Sequence, residues 1–543
     1  MSSSVAKSAG KMGLATLCSR VFGLVREQVF AFYFGATDAA DAFNIAFRIP
    51  NLLRDLFAEG AMSAAFVPNF TRALLNTTKA AFRLLSSVVA VLVVGLSALS
   101  FVGICLSEPL VRLYASAFAS VPGKLELATQ LTQVMFPFFP MVALAAVLMG
   151  ALNAMGSFFL PAFAPVLFNV ASILCGVILT PLFANHTSLP PIYSMAVGVL
   201  VGGFLQFYVQ WWQLRKKGYR PLEFAKNFAR PFADPGTKKV LLLLVPGTVG
   251  LAATQLNILV NSVYATHFGS GAVSWLNYAF RFLQFPIGIF GVSLAVATLP
   301  LVTRKLAKGS PKEAADEVAN SLHLVFAVNG PAAAGLMVVG LPIVQMIFQH
   351  GQFKLFDAQQ TAQALFWYAL GLPGYSVVKV LVPVFYALER TRIPVTISFV
   401  MVGLNLVLNH LFSAVWGFPF WALALSTSIV ATLNAVLLLY FLNRKMGGIL
   451  GTQFFSRLFA HGAVAAAVGA TSYAASSGAA TFWVKIGINT GVFTWSSQVV
   501  CALLAAIATW LAVGKVFRIS EIDRALNVVV RRFRGKNGNS DHQ

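Results

Sequence analysis

Apolar stretches separated by short polar or basic connectors recur along this chain, at roughly residues 11–34, 38–72, 82–107, 127–153, 159–182, 191–214, 238–265, 273–304, 315–345, 358–387, 393–414, 419–444, 457–478 and 485–514. Each is long enough to cross about 30 Å of hydrocarbon as a helix. The pattern predicts an all-α, polytopic membrane protein with fourteen transmembrane helices. Pro50 interrupts the second stretch, and its missing N–H and bulky ring predict a kink there.

The first two stretches carry a second signal. Between Ser19 and Phe70 they hold nine charged residues: Arg20, Arg26, Glu27, Asp38, Asp41, Arg48, Arg54, Asp55 and Glu59. A charge at the bilayer centre costs roughly 2.5–3.5 kcal/mol, so these groups must pair with one another or line a watery cavity. Four are arginines, permanently charged and forked to meet phosphate oxygens in pairs, which predicts a cavity built for an anion. Arg20 and Glu27 are seven residues apart, as are Asp41 and Arg48, so each pair shares a helix face but can meet only through neighbours or water.

Composition agrees. The 543 residues are 58% hydrophobic and 10% charged, with a mean hydropathy of +0.77, far from the soluble average of about 25% charged. The apolar run after Gly13 contains Arg20 and Arg26, which a cleavable signal would not tolerate, so the first helix is expected to be retained. The four cysteines lie in apolar segments without CxxC spacing, which implies neither a disulfide framework nor a zinc site.

A net charge of +22 could point to nucleic acid, but its distribution points to topology. With the N-terminus inside, the cytoplasmic connectors and tails hold 29 of the 39 Lys and Arg residues, the outer connectors hold four, and six lie within spans. The positive-inside rule explains that asymmetry with no nucleic-acid partner. The densest basic connector, Arg215 to Lys239, is expected to orient the chain and to meet anionic lipid; a regulatory partner is the alternative.

An internal repeat divides the chain. Phe34-Gly35 recurs as Phe268-Gly269, Asn44-Ile45-Ala46-Phe47-Arg48 as Asn277-Tyr278-Ala279-Phe280-Arg281, and Pro68 to Arg72 as Pro300 to Arg304, at offsets of 232 to 234 residues. Arg48 and Arg281 are thereby repeat mates. Residues 1–214 are read as an N-lobe of six spans, 215–239 as a basic cytoplasmic linker and 240–446 as a C-lobe of six spans. Residues 447–515 are read as spans thirteen and fourteen, and 516–543 as a basic cytoplasmic tail. Six spans per half is an even number, so the pseudo-symmetric lobes insert in the same orientation, related by an axis along the membrane normal. Spans thirteen and fourteen have no repeat mate, and their small residues suit close helix packing or, alternatively, a groove for a lipid tail.

Enzyme signatures are absent: each Gly-Lys pair lacks the Ser or Thr of a phosphate-binding loop, and neither HExxH nor GxSxG occurs. Transport would then draw on an ion gradient, the membrane potential or the substrate's own gradient.

The blocks Ser19-Arg20-Val21-Phe22-Gly23-Leu24-Val25-Arg26-Glu27, Ala40-Asp41-Ala42-Phe43, Pro50-Asn51-Leu52-Leu53-Arg54 and Phe57 to Pro68 resemble the opening of the MurJ/MviN lipid II flippases, and the span layout resembles that family over the whole chain. The resemblance implies a member of the multidrug/oligosaccharidyl-lipid/polysaccharide exporter superfamily. Such a protein moves undecaprenyl-pyrophosphate-linked disaccharide pentapeptide from the inner to the outer leaflet of the bacterial plasma membrane by alternating access, for peptidoglycan synthesis. It implies no cofactor, a monomer among membrane lipids with both termini cytoplasmic, and the cell-wall synthesis machinery as a partner.

Family positions fall on Arg20, Arg26, Asp41, Arg54 and Arg281. Arg20, Arg26, Arg54 and Arg281 are the expected pyrophosphate ligands; Glu27, Asp41, Arg48 and Glu59 are expected to gate or to pair, with Asp41 and Glu59 holding the arginines when the cavity is empty. Gln284 stands where relatives commonly carry a Glu, so neither an acidic partner for Arg281 nor a proton relay is expected there. Spans seven and eleven hold no acid, so the cation site of some relatives is not expected here, and no metal site is expected. The alternatives are a flippase for another polyprenyl-linked glycan and a multidrug-type, cation-coupled antiporter, the latter disfavoured by the arginines.

Overall fold

The computed structural model describes residues 3–58, 61–487 and 491–516, and among these every regular element is helical. Glu59 and residues 517–543 of the basic tail lie outside the described residues. The chain divides into two compact units, residues 1–274 with 350–354, and residues 275–349 with 355–543.

The first unit contains α1 (Ser3–Phe34), α2 (Asp38–Ala58), α3 (Ala61–Asn76), α4 (Thr78–Cys105) and α5 (Ser107–Tyr114). It continues through α6 (Lys124–Met135), α7 (Phe138–Ala154), α8 (Phe159–His186), α9 (Tyr193–Lys216), the short α10 (Ala225–Ala229) and α11 (Pro235–Thr266). Local chemistry fixes several starts. Thr77 caps α4 by accepting the Ala80 N–H at 3.0 Å, and Asp234 caps α11 through the Gly236 N–H at 2.8 Å, with Pro235 in the first turn. Phe66, Phe70, Leu85, Phe139 and Val147 are fully buried in the core where α3, α4 and α7 meet. Pro50 lies inside α2, and α11 packs on α3 and α2.

The second unit takes in α12 (Ala272–Pro286) from Trp275 onward, then α13 (Val292–Ala307), α14 (Pro311–Phe348), α15 (Leu355–Leu370) and α16 (Leu372–Ala387). It ends with α17 (Arg392–His410), α18 (Ala422–Met446), α19 (Thr452–Lys485) and α20 (Val492–Val516). A π-helical segment, Ile287–Gly291, joins α12 to α13 directly after Pro286, whose absent N–H removes one α-helical bond. Val380, Leu381, Phe385 and Leu438 centre this core, while α19 and α20 pack on each other and on α14, where Trp510 donates its indole N–H to the Ala327 carbonyl at 2.8 Å.

Each stretch expected to cross the membrane is mainly helical where described, with short breaks such as 136–137, 371 and 419–421. Ten helical spans among the described residues are long and apolar enough to cross, or eleven with the α15–α16 pair, bent by 46°. The charge-bearing α1 and α2 are not among them. The chain is a multi-pass membrane protein.

Small residues set the closest approaches. On α9, a Cβ at Gly198 would sit 2.9 Å from the Ser172 Cα, and one at Gly202 would sit 2.9 Å from the Phe168 carbonyl oxygen, so α8 and α9 meet backbone to backbone. Without a hydrophobic drive between helices in lipid, such contact is a main source of helix adhesion. Elsewhere in the first unit, the Gln352 N–H donates to the Phe32 carbonyl at 2.8 Å, and a Cβ at Gly351 would fall 2.3 Å from that same oxygen.

Gly202→Leu should therefore force α8 and α9 apart at a cost of about 1–3 kcal/mol. Thermal unfolding of the detergent-solubilised protein checks this, and an unchanged midpoint would contradict the packing described.

Candidate functional site

Two arginines of α1 and α2, Arg26 and Arg54, are compensated close to home. Arg26 Nη2 lies 2.7 Å from Glu27 Oε1, and its guanidinium sits 5.4 Å from the Phe168 ring centroid on α8. Arg54 brings both Nε (3.0 Å) and Nη2 (2.5 Å) to Asp55 Oδ1, while Gln255 of α11 donates to the other carboxylate oxygen at 3.2 Å. Sequence neighbours point about 100° apart on a helix, so these bonds form because the arginine stem is long enough to curl back. The side chains are only 16% exposed for Arg26 and 27% for Arg54. Each guanidinium is thus largely removed from water and held by a carboxylate that another anion can replace.

Asp41 is held differently. Its fully buried carboxylate accepts the Gly271 N–H at 2.7 Å, the Ser274 N–H at 3.0 Å and the Ser274 hydroxyl at 2.7 Å. These donors surround the first turn of α12, where unsatisfied N–H groups and the helix dipole favour negative charge. Gly271 makes this possible with φ +91°, a conformation that suits glycine. Lys124, 4% exposed at the start of α6, reaches Asp41 at 3.1 Å and Asp38 at 2.6 Å, and its ammonium lies 4.3 Å from the Phe118 ring centroid. Asn44 donates to the Ser274 hydroxyl at 3.0 Å.

This corrects the expectation that Asp41 restrains an arginine. Seven residues separate it from Arg48, about 10.5 Å along a helix, whereas Lys124 and the α12 amides lie within hydrogen-bond distance. Lys124 and Ser274 are the functional candidates that sequence reasoning missed.

Arg20 is half-buried on α1 and makes no ion pair among the described residues. Half-buried Arg48 approaches Tyr114 of α5, whose phenol is pushed up to about 12 by burial, with the Arg48 charge opposing. Arg281 sits half-buried on α12 in the second unit. Two cavities of about 460 and 390 Å³ flank Lys124, the larger lined also by Phe118, Thr266 and His267, the smaller by Asp38, Glu126 and Gln130. Neither is lined by Arg20, Arg26, Arg54 or Arg281.

The family model for lipid II flippase MurJ matches residues 30–511. The chain is 38% identical over 438 residues to the lipid II flippase MurJ of Burkholderia cenocepacia, covering 80% of this chain and 82% of that one. It is 33% identical over 521 residues to the probable lipid II flippase MurJ of Vibrio cholerae, covering 92% and 94%. Among solved structures, a lipid II flippase MurJ in an inward closed conformation aligns with a TM-score of 0.75 at 24% identity, over 94% of this chain and 99% of that one. An inward-facing multidrug resistance MATE family transporter of the MOP superfamily aligns at 0.66 with 13% identity, over 79% and 95%. At these identities the structural likenesses show a shared fold.

Asp41→Ala should cost about 3–5 kcal/mol, because it leaves buried donors and a buried ammonium short of a partner. Adding Lys124→Met should recover part of that loss, and Ser274→Ala alone should cost about 1 kcal/mol. Unfolding midpoints of these three variants, of Lys124→Met alone and of the unaltered protein check the series; additive losses for the Asp41 and Lys124 changes would contradict their coupling.

Proposed function

The chain belongs to the lipid II flippase MurJ family, and from that premise we propose how its own residues move lipid II between leaflets. It acts as a transporter and not as an enzyme. Arg20, Arg26, Arg54 and Arg281 take the pyrophosphate of the lipid-linked precursor. The observation that carries this is the state of Arg26 and Arg54: forked cations in membrane helices, largely shielded from water, each resting on a carboxylate at its side. A diphosphate offers the same oxygen chemistry with more charge, so each fork can pass from carboxylate to phosphate without an unpaired stage. Glu27 and Asp55 then receive the arginines again on release.

Access alternates between the two sides, with the N- and C-termini and the 215–239 connector cytoplasmic. The Asp41 carboxylate, seated on the first turn of α12 and clasped by Lys124, is the closure that must open for release outward. Arg48 and Glu59 pair or gate, and the polyprenyl tail stays in lipid, with α19 and α20 offering the groove. A potential negative inside does about 2.3 kcal/mol of work per charge per 100 mV for a full crossing, so it favours outward movement of the anion and return of an empty, cationic site. The protein works as a monomer beside the cell-wall synthesis machinery.

Arg54→Ala and Arg281→Ala should each weaken lipid II binding about 10–100-fold, the value of a charge-assisted hydrogen bond, and should fail to sustain peptidoglycan synthesis in cells depleted of their own flippase. Arg54→Lys should be intermediate, since lysine keeps the charge and loses the fork. Full complementation by both alanine variants at normal membrane levels would remove the arginines from the mechanism.

Collapsing the membrane potential in cells should slow flipping of labelled precursor. An unchanged rate would detach transport from the potential and leave the arginine assignment standing.

A further inference from the structure

The connector between α9 and α11 is built with two faces. Its inner face is fixed to the protein: Tyr219 and Phe224 are each 4% exposed, and the Tyr219 hydroxyl lies 2.9 Å from the Ser86 hydroxyl. Both rings meet Phe82 of α4, at centroid distances of 5.4 and 6.3 Å. Phe82 and Ser86 lie within the first three turns of α4, so the connector is held where that helix enters the membrane. The depth has an independent marker. Trp211 and Trp212 close α9, with Arg215 at 5.1 Å from one ring centroid and Lys216 at 3.6 Å from the other, the arrangement of a span meeting the headgroup layer.

The outer face combines apolar rings with cations. Phe228 is 45% and Phe232 66% exposed, and Arg220, Lys226 and Arg230 stand exposed around them. Lys79 and Arg83 are exposed on the adjoining turns of α4. From Arg215 to Lys239 there are eight basic residues and two acids, and both acids are engaged locally, Glu223 with Arg220 at 3.4 Å and Asp234 as the cap of α11. A soluble anion would satisfy the cations but leave the rings in water. A bilayer carrying negative headgroups satisfies both, the rings entering the acyl boundary and the cations meeting phosphate.

We propose that residues 219–233 form a docking strap for anionic phospholipid headgroups of the surrounding bilayer. The strap anchors the connector between α9 and α11 to the membrane surface independently of the transported lipid. It goes beyond the transport reading and needs only that the chain spans a membrane, so the test contains no lipid II and its failure would leave that reading untouched.

The full chain would be placed in nanodiscs of phosphatidylcholine alone and of phosphatidylcholine mixed with phosphatidylglycerol, and hydrogen exchange followed at the backbone amides of 219–233. Exchange should be about tenfold slower with phosphatidylglycerol. The difference should shrink in high salt and vanish in Arg220→Gln/Lys226→Gln/Arg230→Gln. Phe228→Ser/Phe232→Ser should speed exchange in both lipids. Equal exchange of the unaltered protein in the two lipids overturns the proposal, whatever the variants do. So does a lipid difference that survives the triple substitution. Protection found in native membranes but absent with phosphatidylglycerol would assign the strap to a protein partner and overturn it equally.

Discussion

A buried charge in an apolar helix needs a counter-charge within reach of its own side chain, and Arg26, Asp41 and Arg54 on the first two helices are placed by that constraint. Arg26 and Arg54 curl back to Glu27 and Asp55, while Asp41 and Lys124 find each other from separate helices. The two solutions have different consequences. A neighbouring carboxylate stays with its arginine wherever the helix goes, so it is portable compensation that leaves the fork able to exchange partners. A carboxylate met by another helix, a lysine and two backbone amides is compensated only in one arrangement. The first suits a ligand site and the second suits a closure.

Packing supports this division. Where the helices carry no charge, the chain brings backbones together through glycine, as at Gly198 and Gly202, or fills space with buried phenylalanines such as Phe66, Phe70 and Phe139. These contacts are directionless and tolerate lipid on the far face. Three directional bonds sit at the starts of helices, where amides lack intrahelical partners: Thr77 on α4, Asp234 on α11, Asp41 on α12.

The helices were legible because an apolar run of span length has one outcome in a membrane, and α4, α8 and α18 fall where their hydropathy placed them. The charged residues of α1 and α2 were equally plain as residue types. Their partners were not. Lys124 lies 83 residues from Asp41 in a connector where it counted only toward topology, and the other donors to Asp41 are two amides and a serine hydroxyl, groups that a reading by charge passes over. Likewise, nothing in the sequence around Gly351 announces that its backbone returns to the end of α1, because the requirement there is for the absence of a side chain. Glu27 and Asp55 were visible, but a periodicity argument looks three, four or seven residues away and overlooks the adjacent position that a long arginine can reach.

The second carboxylate at Lys124 changes what opening of the proposed closure would entail. Asp38 keeps nearly half its side chain in solvent while Asp41 has none, yet the same ammonium touches both. When the inner acid withdraws from the α12 turn, the lysine already has its outer one in hand, so no stranded cation has to be hydrated on the way. In the proposed closure this asymmetry would act as a ratchet tooth, letting the catch disengage toward water and re-engage when the serine and glycine amides collect the inner acid.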